Sequence, residues 1–575
     1  MRLGPRTFSI LAALCFGSTL AVTSAQAAAT AALATAHPLA TAAGAEVLVA
    51  GGNAFDAAVA VTAALGVVEP FHSGLGGGGF WLLHRARDGL QVMVDGRETA
   101  PAAITPGVYL DANSAVVPKR AVDGPLAAAI PGVPAAIVHL SEHYGRLPLR
   151  QTLAPAVKLA REGFPVSEGY RRVAQVRREV LRGSPAGRVF LLKGEVPPLG
   201  HRLVQEDLAK TLKYLINHNV KGFYRGPVAN RLVTGVRAAG GLWSLEDLAR
   251  YRVIERKPVA GTYRGIRVVS APPPSSGGVV LLEILNILEG YQLSAQDPAT
   301  RKHVIVEAMR RAYQDRATYL GDPAYAIAPL ERLLSKDYAR QRRISLHLDR
   351  ATPSSALGGP PATAREGPHT THFSVMDAEG NRVAATLSIN YSFGSGFMPP
   401  GTGVLLNDEM DDFALQPGVP NVYGLVGGTA NSVAPGKRPL SSMTPSFLET
   451  PDRVALLGTP GGSRIISMVA LSALEFAAGR DAAGTVAVPR FHHQYLPDEL
   501  QHEPDALSPS ERERLQALGH RLKDLGKKYG DMQAVIWHRQ SGRLEAASDP
   551  RGEGSARVFP VNADILGKNS SRAGQ

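Results

Sequence analysis

Pro368-His369-Thr370-Thr371-His372-Phe373-Ser374-Val375-Met376-Asp377, continued to Asn390, is the stretch best suited to chemistry. Apolar and polar residues alternate from Thr371 to Asp377, which predicts a half-buried strand. Asp377-Ala378-Glu379-Gly380-Asn381 predicts a turn, and Arg382 to Asn390 a second strand, so the pair is a hairpin. A turn centred on Glu379 sets Thr370 opposite Ser388, with Asn390 one step along the same face. A hydroxyl at the start of a strand, beside a second hydroxyl and an amide, is what an N-terminal nucleophile requires. Such an enzyme cuts its own chain before that residue. The freed α-amine, with a pKa of roughly 8, then serves as base for the hydroxyl of the same residue. On the hairpin alone, a β-branched Thr370-Thr371 pair filling a strand is the simpler account.

Other stretches supply complementary groups. Asp95-Gly96-Arg97-Glu98 follows a short strand, Gln91 to Val94, and places Arg97 where it can grip a carboxylate bidentately; a surface ion pair with Glu98 is the plainer alternative. Asn407-Asp408-Glu409-Met410-Asp411-Asp412 gathers four carboxylates after an apolar strand. With no histidine beside them, a pocket for a substrate ammonium fits better than a metal site. Lys437 to Pro445 contains the paired hydroxyls Ser441 and Ser442 in a proline-bounded turn. Pro417 to Gly428, around Tyr423, has the composition of a lid loop. Strand Val454 to Leu457 leads into Gly458-Thr459-Pro460-Gly461-Gly462-Ser463-Arg464 and then a helix. Glycine amides there can stabilise an oxyanion; a phosphate cradle is the rival, and it lacks the lysine and hydroxyl of a P-loop. Gly74, Gly76 and Gly79 formally satisfy a dinucleotide pattern, but a helix precedes and a strand follows, so close backbone packing is the better reading. His492 and His493 point to opposite faces of a strand, which disfavours a joint metal site.

The elements that must position these groups come from an ordinary globular chain. Of 575 residues, 44% are hydrophobic and 19% charged, and 60 Gly with 42 Pro points to many turns and loops rather than a helical bundle. The net charge of +12 is scattered without a basic run, so nucleic-acid binding is not expected. Helices are predicted over Ala40 to Ala50 and Phe55 to Leu65, split by Gly51-Gly52-Asn53. The chain reads mainly helical from Leu126 to Leu288. A rigid turn, Ala271 to Gly278, leads into the helix Val279 to Leu288, and a further helix spans His303 to Tyr319. Residues 351–368 read as a flexible, exposed linker ending where the nucleophile begins. Arg2 and Arg6, the apolar run Phe8 to Val22 and Ser24-Ala25-Gln26-Ala27 form a secretory signal, cleaved after about Ala27 and too short for a membrane span. The single cysteine, Cys15, falls inside it, so the mature chain has no disulfide and no thiol or Cys-ligated metal chemistry. The tail after Lys568 reads as disordered, and no lipid or membrane anchor is expected.

Taken together and in order, these segments resemble the γ-glutamyltransferase (γ-glutamyl transpeptidase) family over nearly the whole mature chain. The likeness rests on Gly51-Gly52-Asn53-Ala54, Gly76 to Phe80, Pro272 to Gly278, Thr370-Thr371-His372, Met410-Asp411-Asp412-Phe413, Pro417 to Gly428, Arg438 to Met443, Pro460 to Arg464 and Pro489 to Gln494. The resemblance implies an α+β, four-layer αββα sandwich of the N-terminal-nucleophile hydrolase type. It implies self-cleavage between His369 and Thr370, giving a large subunit (28–369) and a small one (370–575) that stay together as a heterodimer. By the same resemblance Thr370 is the nucleophile and Ser388 assists it. Asn390, Glu409 and Asp412 hold the substrate ammonium; Arg97, Ser441 and Ser442 hold its carboxylate; Gly461 and Gly462 form the oxyanion hole; and Tyr423 lies on the lid. No cofactor or metal is implied. Two departures stand out. Ser388 replaces the usual threonine, keeping the hydroxyl but losing a methyl and rotamer rigidity, and His369 is an unusual residue before the scissile bond.

The implied activity is transfer of the γ-glutamyl group of glutathione and related amides to water, an amino acid or a dipeptide, in the periplasm or outside the cell. A glutaryl- or cephalosporin-type acylase is the nearest rival, yet a glutaryl group has no α-amine for Glu409 and Asp412 to hold. An uncut, non-catalytic periplasmic binding protein is the rival from another class.

Overall fold

The computed structural model describes Met1, residues 29–358 and residues 370–561. The signal segment, His369 and the tail beyond Lys568 lie outside the described residues. Two antiparallel sheets form its centre. The first runs Ser555–Pro560, Thr30–Thr35, Thr371–Met376, Arg382–Ser388, Gly78–Arg85, Leu90–Asp95, Ile254–Arg256. The second runs Leu544–Ser548, Gln533–His538, Arg453–Gly458, Ser446–Glu449, Ile266–Ser270, Val259–Tyr263. Both sheets combine strands from before and after the 359–369 stretch.

Alternation along each strand of the first sheet builds two cores. Leu33, Trp81, Leu83, Phe373, Val375 and Leu387 face outward onto the helices Pro38–Val49, Ala54–Val68 and Val133–His143. Ala32, Ala34, Phe80, Leu82, Met376 and Ala384 face inward onto the second sheet, which is backed by the helices Gly277–Leu288, Pro298–Tyr319 and Ile465–Ala477. The layers are therefore helix, sheet, sheet, helix, the αββα sandwich.

Burial on both faces corrects one expectation. Thr371–Met376 is buried at every residue rather than half-buried. Its alternation does not separate core from water; it separates an apolar core from a polar seam between the sheets. His372 sits in that seam with Nδ1 2.8 Å from Thr386 Oγ1, and burial pushes its pKa down to about 3.

The helices lie close to where the sequence places them: Pro38–Val49, Ala54–Val68, Gly277–Leu288 and Pro298–Tyr319. Asn53 starts the second with a capping box, its side chain accepting from the Phe55 and Asp56 amides while Asp56 accepts from the Asn53 amide. The region from Leu126 to Leu288 is less uniformly helical than expected, since it also contains the strands Ile254–Arg256, Val259–Tyr263 and Ile266–Ser270. These lie at or beside sheet edges, where charged and proline residues are tolerated and the apolar pattern is diluted.

The segment read as an exposed linker is anchored at its start. Thr352 and Ser354 are buried. Ser354 donates to Tyr495 O (2.6 Å) and, through its amide, to Asp498 (2.7 Å), and Arg310 donates to its hydroxyl (2.7 Å). Nearby, His303 Nδ1 and His520 Nε2 are 2.7 Å apart in a hydrogen bond, and Glu307 is paired with Arg310 and Arg311. This buried His-Glu-His group is the one metal-like cluster among the described residues, and its charge is already met.

Between the helices Gly277–Leu288 and Pro298–Tyr319, buried Glu283 faces Asp315, whose carboxylate also accepts from Tyr338 Oη (3.0 and 2.9 Å). Burial first, and then the neighbouring Asp315 charge, push the Glu283 pKa well above its ordinary value. A carboxyl whose folded pKa lies above its unfolded value of 4.5 contributes stability that is complete below that value and is lost as pH rises. Glu283→Gln supplies an amide donor that needs no proton. Its melting temperature is expected to match the wild type near pH 4.5 and to exceed it by about 2 °C at pH 8. Parallel pH profiles in thermal scans would refute the raised pKa of Glu283.

Candidate active site

The hairpin register is fixed by Arg382↔Met376 through Leu387↔Thr371, which puts Thr370 across from Ser388. Their hydroxyl oxygens are 3.4 Å apart. Asp377 sets this register from the turn, where its Oδ1 accepts from the Glu379 and Asn381 amides. The glycine run supports the other side of the hairpin. A side chain on Gly77 would strike Ser388 O, so only glycine lets that strand approach. Beyond Ser388, Asn390 takes a left-handed backbone (φ 68°), its amide donating to Ser388 Oγ (2.8 Å) and its side chain to Asp408 O (3.0 Å).

A tight cavity of ≈ 20 Å³ opens beside Thr370. Arg97, Ser388, Asn390, Asp412, Tyr423, Ser441, Ser442 and Gly462 line it with Thr370. Glu409 and Gly461 sit just behind this lining. Residues more than 350 positions apart in sequence thus converge on one hydroxyl.

Arg97 and the acids form one cluster rather than two separate grips. Arg97 is buried, with Nη1 2.6 Å from Glu409 and Nη2 2.5 Å from Asp412, and Nε donating to Pro439 O (3.1 Å). Glu98 lies 3.5 Å from the same guanidinium, so the neighbour read as a surface partner is a buried one. Burial opposes the Arg97 charge, but Glu409, Glu98 and Asp412 more than offset this and raise its pKa. Burial pushes Glu98 up to about 7 and Glu409 well above the usual range, despite Arg97. Protons held at Glu98 and Glu409 therefore help one guanidinium to offset three carboxyls, and an entering cation can take the place of those protons.

Only two of the four carboxylates in the acidic stretch belong to this cluster. Asp408 accepts from the Tyr391 amide (2.8 Å) and Asp411 from the Val422 amide (2.8 Å), so these two hold loops in place. The segment around Tyr423 is tied down accordingly. Asn421 donates to Asp412 (3.1 Å), and Tyr423 Oη donates to Asn390 O (2.8 Å).

Gly461 (φ 147°) and Gly462 (φ 56°) form a left-handed turn entering the 3₁₀ turn Gly462–Arg464 and the helix Ile465–Ala477. A Cβ on Gly462 would lie 2.7 Å from the Tyr423 ring. Among the described residues neither glycine amide is committed to an acceptor, which leaves two adjacent donors, Gly462 at the cavity wall and Gly461 just behind it.

Sequence reasoning missed the residues that set the serine pair. Ser276 donates to Ser441 O from both its amide (2.8 Å) and its hydroxyl (2.7 Å), so the proline-rich turn that read as purely structural positions the site. Arg316 donates to Ser276 Oγ (2.9 Å) and Ser442 Oγ (3.3 Å). It follows Arg310 and Arg311 in one helix, and nothing in the local pattern separates it from them. His492 and His493 have separate partners, Ser467 and Asp498, and stay outside the site.

A second cavity of ≈ 450 Å³ lies across the same wall, lined in part by Glu69, Tyr391, Pro460, Lys527, Lys528 and Asp531. Glu69 accepts from Thr371 Oγ1 (2.7 Å), while Tyr391 and Pro460 directly adjoin Asn390 and Gly461.

A strand-end hydroxyl, paired amides and a charge cluster suit acyl transfer, and the family-level match settles the lineage. The gamma-glutamyltranspeptidase family model matches residues 40–559. The chain belongs to that family. Among γ-glutamyltranspeptidase relatives, it is 44% identical over 496 residues to a glutathione hydrolase proenzyme of Pseudomonas sp. (strain A14), covering 85% of this chain and 86% of the relative. It is 41% identical to the glutathione hydrolase proenzyme of Escherichia coli (strain K12), covering 89% of each. Among solved structures, a cephalosporin acylase from Bacillus halodurans superposes with a TM-score of 0.81 at 28% identity, covering 92% of this chain and 96% of the acylase. The γ-glutamyltranspeptidase fold is thus shared with an acylase, and the residues around Thr370 must decide the substrate.

Proposed function

We propose that the protein cuts itself before Thr370 and then works as a γ-glutamyltransferase and glutathione hydrolase through that threonine. The observation that carries this reading is the cluster of Arg97, Glu409 and Asp412 in the same cavity as Thr370. An amino-acid end carries one carboxylate and one ammonium. Arg97 with Ser441 and Ser442 meets the first; Asn390, Glu409 and Asp412 meet the second. Entry of a zwitterion exchanges the Arg97 ion pairs for pairs with the substrate and leaves the net charge of the cluster unchanged. With that end fixed, the γ-carbonyl lies over Thr370.

The free α-amine takes the proton from Thr370 Oγ1 as the oxygen attacks. The Gly461 and Gly462 amides meet the resulting oxyanion; losing one such donor costs roughly 3 kcal/mol of barrier. Collapse returns the proton to the leaving amine and leaves a γ-glutamyl ester on Thr370. The ≈ 450 Å³ cavity across the wall is roomy enough for the departing dipeptide and for the incoming water, amino acid or dipeptide. Ser388, 3.4 Å away, orients Thr370 in both cutting and turnover. No metal or cofactor enters these steps. Export to the periplasm or the medium follows from the amino-terminal signal, and no helix among the described residues is long and apolar enough to cross a membrane.

The test combines intact mass with release of nitroaniline from γ-glutamyl-p-nitroanilide and glutaryl-p-nitroanilide. Two polypeptides meeting at His369 and Thr370 are expected, with at least a ~100-fold preference for the γ-glutamyl donor, the discrimination that unpaired buried charges impose. An uncut chain without turnover would point to a binding protein, and equal use of both donors to an acylase.

A further inference from the structure

Arg316 is 5% exposed, and among the described residues no carboxylate lies within ion-pairing distance of it. This sets it apart from the other deeply buried arginines. Arg97, Arg310, Arg311, Arg438 and Arg490 each contact a carboxylate. The carboxylate whose charge reaches it, Asp412, is already paired with Arg97, so the buried guanidinium is costly unless a further anion arrives to meet it. The place where Arg316 sits identifies that anion. Its Nε and Nη2 donate to Ser276 Oγ and Ser442 Oγ, one behind Ser441 and the other on the cavity wall. Three residues earlier on the same helix, Tyr313 donates to Ser463 O beside the glycine amides, so one helix face braces both sides of the cavity.

We propose that Arg316 is a positioning and specificity residue for the donor's α-carboxylate, acting through Ser442. Because the Ser442 oxygen accepts from Arg316, its own proton is free to point into the cavity and donate to a carboxylate. The guanidinium behind it adds a second positive charge to that of Arg97. The pair Arg97 and Arg316 then matches the anionic end of the donor, while the surplus of carboxyls on the Glu409 side matches its ammonium. This inference rests on the γ-glutamyl reading and names what separates donors that carry an α-carboxylate from those that do not.

The experiment compares γ-glutamyl-p-nitroanilide with 4-aminobutyryl-p-nitroanilide, which keeps the amine and lacks the carboxylate. Arg316→Met is expected to lower kcat/KM for the first about 30-fold, mostly through KM, and for the second less than about threefold. Arg316→Lys keeps the charge and is expected to recover the first donor to within about fivefold of wild type. In a Ser442→Ala background, Arg316→Met is expected to change kcat/KM by no more than about threefold. Equal loss on both donors, or an undiminished effect in the Ser442→Ala background, overturns the role of Arg316. If the carboxylate-free donor is too slow to measure, the Ser442 cycle alone decides. If Arg316→Met is not cut, Arg316→Lys is judged by the same donor ratio. A wild-type protein inactive on the γ-glutamyl donor overturns the underlying reading instead.

Discussion

Thr370→Ala is expected to give one uncut polypeptide with turnover reduced at least ~10⁴-fold, the loss typical of removing a nucleophile. No neighbour can substitute. Thr371 is adjacent in sequence, but successive strand residues face opposite sides, and its hydroxyl is engaged by Glu69 at 2.7 Å. Ser388 is near enough, at 3.4 Å, but lies in mid-chain and has no α-amine to take its proton. Intact mass reads the first effect and γ-glutamyl-p-nitroanilide the second. A variant that is cut, or that keeps more than about 1% of wild-type activity, would remove Thr370 from the mechanism.

Arg97→Met is expected to produce the second-largest loss, and on two axes. Donor KM should rise about 100-fold as the carboxylate loses its principal cation. The fold should also weaken by about 3–5 kcal/mol, because the substitution leaves Glu98, Glu409 and Asp412 without their guanidinium. The sign of the pH dependence follows from the pKa values already raised at Glu98, to about 7, and at Glu409. Without Arg97 these acids hold protons more firmly in the folded state. Their contribution is complete below the unfolded value of 4.5 and drains away as pH rises. The deficit in melting temperature should therefore be larger at pH 8 than at pH 5. A uniform deficit would place the carboxyl charges outside the reach of Arg97.

Much of the site was legible because its parts are local. A turn centred on Glu379 fixes which residues of the hairpin oppose each other, so the Thr370–Ser388 pairing needs no tertiary information. The glycines before Ile465 announce a turn that other residues cannot make. Arg316 and Ser276 were illegible for the opposite reason: their importance lies in contacts with Ser441 and Ser442, more than 120 positions away. The same holds for the division of the acidic stretch. Four carboxylates in a row look alike until the fold turns Asp408 and Asp411 toward loop amides and Glu409 and Asp412 toward Arg97. The edge strands Ile254–Arg256 and Val259–Tyr263 were missed because an edge needs only one partner and tolerates a polar, irregular sequence. The buried Thr371–Met376 strand misled in the other direction, since its polar positions face a second sheet.

Both central sheets are assembled from strands on the two sides of the 359–369 stretch. The proposed scission before Thr370 would leave both sheets intact while removing the covalent tie between their two sets of strands. Neither fragment would then own a complete central sheet, so parting them would mean unfolding both, and the product would have no folded monomeric subunits in equilibrium with it. The precursor can refold as one molecule, whereas the mature pair would have to meet in solution with every strand unpaired. The mature enzyme should accordingly be protected by a slow rate of opening rather than by reversible recovery.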